Sequence, residues 1–448
     1  MTIAILMVLA SCKKFVDVVA PAGSIDSTVV YNNESSATAA VLSLYSNNSI
    51  RDNMAYMNVF GGLASDELNY FQTSNTYLDF QNNSLSPTNA QWSNILWLYP
   101  YSQIVNANAD INGLQKAVSI SAAIKNQLLG ESKFWRAASY FNLVNCFGGV
   151  PLALSSAPLD NSLLPRASAE DVYAQIIRDL VDAKNLLPIA YPSSERARVN
   201  RYAASALLAR VYLYHKDWAS AQAEATAVIG SNIYTMSSPE TTFQKTSNET
   251  IFQIYNLRGF TQWGVLLVPS SSTNITFHLM PGFVASFEQG DRRLANWVSV
   301  IGTSGKYSVN KYKLRTASAG NEYFVMLRLG EQYLIRAEAR MELNNITGAL
   351  EDLNTVRSRA GLAAKLNLSP SAAALAIEQE RKVELFGEYS HRWFDLKRRP
   401  SLNISGRTRA DDIIGALKTN LWQPTDILYP ISATEIEKNP NLIQNLGY

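Results

Sequence analysis

The chain has 448 residues, and 47% of them are hydrophobic, which is enough apolar material for one large core or two. Lys and Arg (39) nearly balance Asp and Glu (37), so the formal net charge is +2 and no long block of like charge occurs. This balance argues against electrostatic recognition of nucleic acid or of an acidic membrane surface.

The first residues have the pattern of a bacterial lipoprotein signal. A short apolar run ends in Leu-Ala-Ser-Cys at Cys12, where small residues precede the cysteine that takes the lipid. We expect residues 1–11 to be a signal segment, Cys12 to be lipidated and residues 12–33 to form a polar tether. No Lys or Arg precedes the run, which leaves open an ordinary first strand or helix, or a start codon that lies upstream.

Helical periodicity dominates the N-terminal half. Apolar residues recur three and four positions apart in four segments, and Ser168 starts the last of them with a plausible capping box. These segments are 37–45, 97–108, 134–144 and 172–187. Cys146 follows Phe141 and Val144 of the third segment on the same apolar helix, where a buried, inert thiol is expected.

Two helical hairpins follow, at residues 200–230 and 326–356. Neither pair of helices can bury its apolar stripes without a neighbour, so each pair is typical of one tetratricopeptide-like unit. Nearly a hundred non-repeating residues separate the two units, which predicts an interrupted array rather than a simple solenoid. The predicted fold is therefore mainly α, with helical hairpins forming a scaffold and a loop-rich insertion that contains short strands.

Two irregular segments are rich in aromatic residues. The first is Asp66–Trp92, and the second, Arg258–Met280, lies within the loop-rich insertion, which has one convincing strand at 251–255. Irregular segments of this length in a compact protein are usually functional. We expect these two segments to form the rim of a binding site.

The C-terminal part resembles the SusD/RagB family of outer-membrane lipoproteins. The residues that carry the resemblance are Arg328-Leu329, Tyr333 to Glu338, Leu353-Asn354, Val356 to Leu362, Glu380-Arg381, Glu384-Leu385 and Arg392 to Arg398. The start of the mature chain, Gly130 to Leu152, Asp291 to Arg293 and Leu428 to Tyr448 are similar to the family as well, so the resemblance covers nearly the whole chain. It implies one domain over 34–448, with a helical part at 34–230, an insertion at 231–322 and a second helical part at 323–448.

The resemblance also implies a function. Such a protein is lipid-anchored and surface-exposed at the outer membrane, captures an oligosaccharide and passes it to a SusC-like TonB-dependent transporter, with no bond made or broken. The RagB branch implies peptide capture instead. A plain tetratricopeptide adaptor inside the cell is the third possibility, which the lipidation motif argues against.

Aromatic side chains of the first irregular segment and of the insertion are the candidate ligand contacts. An aromatic ring can stack on the apolar side of a sugar while Asn, Gln and Ser bond its hydroxyls. Trp92 and Trp263 are the first candidates because they stand among polar residues, although a loop tryptophan is more often a plug on the core. The weaker candidates are Tyr70, Tyr77, Phe277 and Trp297.

Signals for catalysis or metal binding are weak. Asp66 and Glu67 lie beside an aromatic segment and are the carboxylates that a glycoside hydrolase would use, but adjacent residues seldom point at one bond. The glutamates 378, 380 and 384 interleave with Arg381 and Lys382, as on a solvated or inter-helix ion-pair face. The three histidines 215, 278 and 391 are too scattered for a zinc site, and no cofactor is expected.

Overall fold

The computed structural model describes residues 27–46, 48–271, 273–316 and 320–448. The predicted signal segment, Cys12 and most of the predicted tether lie outside these residues. The described part is mostly helical, as predicted. Its helices are α1 (Ser27–Val30), α2 (Glu34–Ser46), α3 (Asn48–Ala64), α4 (Asn75–Gln81), α5 (Ala90–Ser93), α6 (Tyr99–Lys116), α7 (Ala122–Phe147), α8 (Pro158–Asn161), α9 (Ala169–Leu186), α10 (Arg201–His215), α11 (Trp218–Gly230), α12 (Gln262–Leu267), α13 (Pro281–Val284), α14 (Arg292–Trp297), α15 (Leu329–Glu342), α16 (Ile346–Arg359), α17 (Pro370–Leu385), α18 (His391–Arg398), α19 (Arg409–Leu417) and α20 (Ala433–Lys438).

The longer helices pack side by side in one row. Helix α7 packs between α6 and α9, α9 contacts α10, and α11 contacts α15. The two predicted hairpins are confirmed as α10–α11 and α15–α16. Because α11 lies against α15, hairpins that are far apart in the sequence are neighbours in space. The insertion therefore separates the two hairpins in the sequence, but the hairpins pack directly against each other in the fold.

Side-chain caps begin several of these helices where the sequence supplies short polar residues. Asn200, Asp217 and Asn345 each accept a hydrogen bond from the backbone N–H three residues ahead, at the starts of α10, α11 and α16. Ser168 does the same for α9, as its sequence predicts. Cys146 is buried in α7, and burial raises the pKa of its thiol to about 12, which fits an inert side chain.

Among the described residues, six short strands form two antiparallel sheets. The strands are β1 (Leu68–Tyr70), β2 (Thr250–Ile254), β3 (Phe277–Leu279), β4 (Val298–Val300), β5 (Tyr307–Val309) and β6 (Phe324–Arg328). The predicted strand of the insertion is confirmed as β2, displaced by one residue, and it pairs with β6 just before α15. The second sheet has the order β1-β3-β5-β4. Strand β1 lies in the first irregular segment and β3 in the second, so their pairing joins the two segments.

A buried ion network fastens the insertion to the C-terminal helices. Arg293 donates to Glu380 (2.7 Å) and Glu384 (2.8 Å) of α17. Arg328 donates to Glu249 (2.9 Å) and also to Glu384 (2.5 Å). All five side chains are buried. Such a network holds only when each charge is paired, because an isolated buried ion is costly.

The inter-helix alternative for the α17 glutamates is confirmed, and their partners are arginines from other segments. Arg381, which was expected to lie on their face, instead pairs with Asp395 (2.7 Å), and Lys382 pairs with Asp66 (2.9 Å). Glu378 is held by Arg409 (3.1 Å). Neighbouring positions on a helix can form ion pairs, but here arginines from other segments reach Glu380 and Glu384 and pair with them instead.

Candidate functional site

Three of the six predicted ligand contacts are tryptophans that lie in the core. Trp92, Trp263 and Trp297 are almost completely buried. Each indole N–H donates to a backbone carbonyl, that of Ser86 (3.3 Å), Gly387 (2.6 Å) and Pro239 (2.7 Å) respectively. A buried indole whose N–H already has a hydrogen-bond acceptor contributes to core packing. Contact of these rings with a ligand stays a prediction, and their burial argues against it.

The other three candidates form one aromatic cluster. The ring centroids of Tyr70, Tyr77 and Phe277 lie 5.0 to 5.4 Å apart. The cluster exists because Tyr70 of β1 is directly opposite Phe277 of β3 in the sheet. Tyr70 and Phe277 are buried and Tyr77 is half-buried. The two segments predicted to form a rim therefore meet at this cluster.

A groove of about 120 Å³ opens beside the cluster, and we refer to it as the inter-segment groove. Tyr77 and Phe277 line one side, residues 265–270 line another, and Asn274 and Thr276 add an amide and a hydroxyl. Arg315 completes the lining and donates to the carbonyl oxygens of residues 265 (2.7 Å) and 268. Its guanidinium thus holds the loop that shapes the groove.

An exposed aromatic ring lies at the edge of this groove. Phe71, the residue after β1, has 61% of its surface exposed, and its backbone N–H donates to the Thr276 carbonyl (3.0 Å). The Lys306 ammonium lies 3.1 Å from the centroid of the Phe71 ring, a cation–π contact. Gln72 donates its side-chain amide to the Thr276 hydroxyl (3.3 Å). We refer to Phe71, Gln72 and Lys306 as the edge platform.

His278 lies beneath the edge platform as a neutral imidazole. Burial lowers its pKa below the usual value, the nearby Lys306 lowers it further, and the hydrogen bond to the Leu279 carbonyl opposes both. The ring therefore donates from Nδ1 to that carbonyl (3.0 Å), which leaves Nε2 to accept from the Asn69 amide (3.2 Å). His278 orients β1 against β3 rather than carrying charge at the surface.

Of the two carboxyl groups considered for hydrolysis, Glu67 is buried and Asp66 keeps 13% of its side chain exposed, and the two serve different structural roles. Asp66 accepts from Arg392 (2.7 and 3.1 Å) and from Lys382 (2.9 Å). Burial alone would raise the pKa of Asp66, but the two cations together hold it below its usual range. In Glu67, burial and the neighbouring Asp66 charge raise the pKa to about 8. Neither carboxyl lines the inter-segment groove, so this geometry favours binding over hydrolysis there.

The contrast between the two carboxyls gives a testable prediction. A carboxyl whose pKa is about 8 in the folded chain and about 4.3 in the unfolded chain makes folding less favourable as pH rises through that interval. Replacement of Glu67 by Gln, a neutral mimic, should therefore raise the free energy of unfolding by about 1–2 kcal/mol at pH 8.5 and change it little near pH 4.5. Urea unfolding at the two pH values measures the difference.

Asp66→Asn is the matched control, and it should lower stability because it removes the carboxylate partner of the buried Arg392 and the half-buried Lys382. A Glu67→Gln protein that is no more stable than the wild type at pH 8.5 would contradict the assignment. Turnover of a glycan that both substitutions abolish would favour the hydrolase alternative.

Within the described ranges, no group of three or more His, Cys, Asp or Glu side chains is arranged to hold a metal ion. None of the helices in this part of the chain has the length and hydropathy needed to span a bilayer.

Comparison with known proteins gives consistent matches along the chain. Residues 300–448 match a family model described as the SusD family, and residues 14–213 match one described as starch-binding associating with outer membrane. The SusD-like protein P25 of Formosa agariphila is 24% identical, over 98% of this chain and 97% of its own length.

Solved structures share the fold. A laminarin-binding SusD-like protein superposes with a TM-score of 0.79 at 24% identity, covering 93% of this chain and 100% of its own. Surface glycan-binding protein A from Bacteroides uniformis superposes with a TM-score of 0.77 at 21% identity, covering 92% of this chain and 99% of its own. At these identities the likeness to the two structures establishes the architecture.

Proposed function

Because this chain belongs to the SusD family, we propose that it is a glycan-binding lipoprotein of the outer membrane that captures an oligosaccharide and passes it to a SusC-like TonB-dependent transporter. The observation that carries the proposal is the β1–β3 pairing, which brings two polar, aromatic segments together around the inter-segment groove. Similarity to proteins named for laminarin binding and surface glycan binding supports the ligand class.

The groove and the edge platform offer the two kinds of contact that a sugar needs. The exposed face of Phe71 can stack on the apolar side of a sugar ring. Amide and hydroxyl groups of Gln72, Asn274 and Thr276 lie beside it and can bond ring hydroxyls. Peptide capture uses aromatic rings as well, but the many neutral polar groups at this edge suit a hydroxyl-rich ligand better.

Delivery to a transporter requires a fixed position at the membrane. We propose that the lipid on Cys12 supplies that anchor and that the helical row, which carries neither the groove nor the edge platform, faces the transporter. Mass spectrometry of the native protein tests the anchor: a diacylglycerol or triacyl mass on an N-terminal Cys12 is expected, and an unmodified Cys12 would contradict it.

Phe71→Ala should weaken glycan binding about 10-fold with little change in the thermal midpoint, because the ring is exposed and its cation–π contact with Lys306 lies at the surface. Calorimetry with a glycan identified on an array measures the affinity. Tyr99→Ala, which removes another exposed ring on α6, is the matched control and should bind as the wild type does. If Phe71→Ala and the wild type bind the glycan with equal affinity, Phe71 does not contact the ligand and the edge platform is not part of the binding site.

A further inference from the structure

Two cationic side chains border the proposed glycan site, and no acidic side chain of that site balances them. Lys306 belongs to the edge platform, and Arg315 lines the inter-segment groove. Every other described residue of the groove lining and of the edge platform is apolar or neutral. The site therefore carries two positive charges, although the chain as a whole is nearly neutral.

The Lys306 ammonium is placed on the edge platform without an acidic partner. Its Nζ lies 3.1 Å from the centroid of the Phe71 ring, and within the described ranges it forms no ion pair and no hydrogen bond. Lys306 is held there because the next residue begins β5, which pairs with β3. Phe71 keeps 61% of its surface exposed, so the lysine leaves part of the ring free. A ligand that stacks on this ring comes next to a positive charge.

Arg315 places a guanidinium at the groove in a fixed orientation. Its Nη1 donates to the carbonyl oxygens of Val265 (2.7 Å) and Val268, which holds one end of the group. Its Nε and Nη2 donate to no described residue, and neither is among the buried atoms that lack a partner. These two nitrogens therefore remain accessible. The edge that they form is the one on which arginine binds a carboxylate or a similar oxyanion through two parallel hydrogen bonds.

Thr276 connects the two cationic positions. Its carbonyl accepts from the Phe71 backbone (3.0 Å), and its hydroxyl accepts from Gln72 (3.3 Å) of the edge platform. The same threonine lines the groove together with Arg315. An oligosaccharide that stacks on Phe71 and enters the groove therefore passes both Lys306 and Arg315.

Unpaired cations in a binding site select among sugars by charge. A neutral oligosaccharide leaves both cations without a counter-ion, whereas a carboxylate or sulfate group forms charge-assisted hydrogen bonds with them. We propose that the site is specific for acidic oligosaccharides, whose uronic acid carboxylates or sulfate esters pair with Lys306 and Arg315. This inference rests on the proposed function, because it names the class of glycan that the same site captures.

The test is a glycan array that carries acidic oligosaccharides beside their neutral forms, followed by calorimetry with the purified protein. Trigalacturonate and trimannuronate beside their methyl esters test carboxylates, a κ-carrageenan tetrasaccharide beside its desulfated form tests sulfate, and laminaritriose is the neutral reference. We expect at least one acidic probe to bind about 10-fold more tightly than its neutral form. The pair that shows this difference identifies the acidic group. Raising NaCl from about 50 mM to about 500 mM should weaken that probe about 3- to 10-fold, because salt screens the attraction.

Substitutions at the two cations separate charge from shape. Lys306→Met keeps an unbranched side chain over Phe71 but removes the charge, so it should weaken the acidic probe about 10-fold and leave its neutral form and the thermal midpoint unchanged. Arg315→Lys keeps the charge but loses the planar pair of donors, so it should weaken the acidic probe about 3- to 10-fold more than the neutral form. Lys116→Met, which removes an exposed lysine on α6, is the matched control and should bind as the wild type does.

Three results would overturn the inference while leaving the proposed function intact, because a glycan is still bound in each. They are equal binding of the acidic probes and their neutral forms, tighter binding of laminaritriose than of every acidic probe, and wild-type affinity of Lys306→Met for the acidic probe. Absence of binding to every glycan on the array would contradict the proposed function and this inference together.

Discussion

Replacement of Glu384 by Gln is expected to lower the free energy of unfolding by about 3–5 kcal/mol. The Glu384 carboxylate is completely buried and accepts from Arg293, Arg328 and Arg359. Gln keeps the shape but not the charge, so three guanidinium groups lose their shared counter-ion in a site that water cannot reach. Because Arg293 comes from the insertion and Glu384 from α17, the loss should loosen the insertion from the helical row.

The pH dependence of Glu384→Gln follows from the sign of the Glu384 shift. Burial alone would raise the pKa of Glu384, but Arg359, Arg328 and Arg293 together hold it well below its usual range. A carboxyl with a depressed pKa contributes stability that is present above its unfolded pKa of about 4.3 and is lost as pH falls below it. Urea unfolding at pH 7 and pH 3 should therefore show a smaller loss on acidification in Glu384→Gln than in wild type.

Glu170→Gln is the matched control for this substitution. Glu170 pairs with His215 at the surface, where its side chain is largely exposed, so its removal should change stability by less than about 0.5 kcal/mol. A Glu384→Gln protein as stable as the Glu170→Gln protein at pH 7 would contradict the role assigned to the network.

Trp263→Ala is expected to destabilise the chain by about 3–5 kcal/mol, because it empties a large core position. The indole is fully buried, donates to the Gly387 carbonyl (2.6 Å) and packs edge-on against Tyr312, 5.1 Å between centroids. A Cβ at Gly387 would come within 2.9 Å of the indole, which shows how closely the backbone covers it. Chemical denaturation measures the loss, and Trp263→Phe should lose less.

Trp263 is a candidate ligand contact in the sequence analysis, and for a ligand contact Trp263→Ala would weaken glycan binding without unfolding the protein. The burial of the indole predicts the reverse. Trp263→Ala should lose glycan binding only in proportion to the fraction of protein that is unfolded. The folded fraction should bind the glycan with wild-type affinity. A Trp263→Ala protein with wild-type stability and no glycan binding would restore the tryptophan as a ligand contact.

The periodicity of apolar residues correctly predicted the helical hairpins. The spacing of apolar residues predicted α10, α11, α15 and α16 because each presents one continuous stripe to a neighbour. The packing of α11 on α15 could not be predicted, since it depends on where the intervening insertion returns. Strands of three residues such as β1 and β3 were missed because a period of two cannot be recognised over so short a run.

The sequence does not show which aromatic side chains of the irregular segments are buried. Trp92 and Trp263 are surrounded by polar residues in the sequence, and without periodicity nothing indicated that their rings point inward. Phe71 is not among the candidates that the sequence analysis names, although it is next to Tyr70. Side chains alternate along a strand, so one of two adjacent aromatic residues points inward, here Tyr70, and the other outward, here Phe71. Long-range partners such as Arg293 and Glu384 lie 91 positions apart, beyond any local pattern.

Hydrogen–deuterium exchange with a saturating glycan, chosen on an array, shows where on the protein the ligand binds. Binding at the inter-segment groove should slow exchange in residues 69–77 and 265–279 and leave α15, α16 and α17 unchanged. Protection confined to those three helices, with none in the two segments, would place the ligand elsewhere and contradict the account.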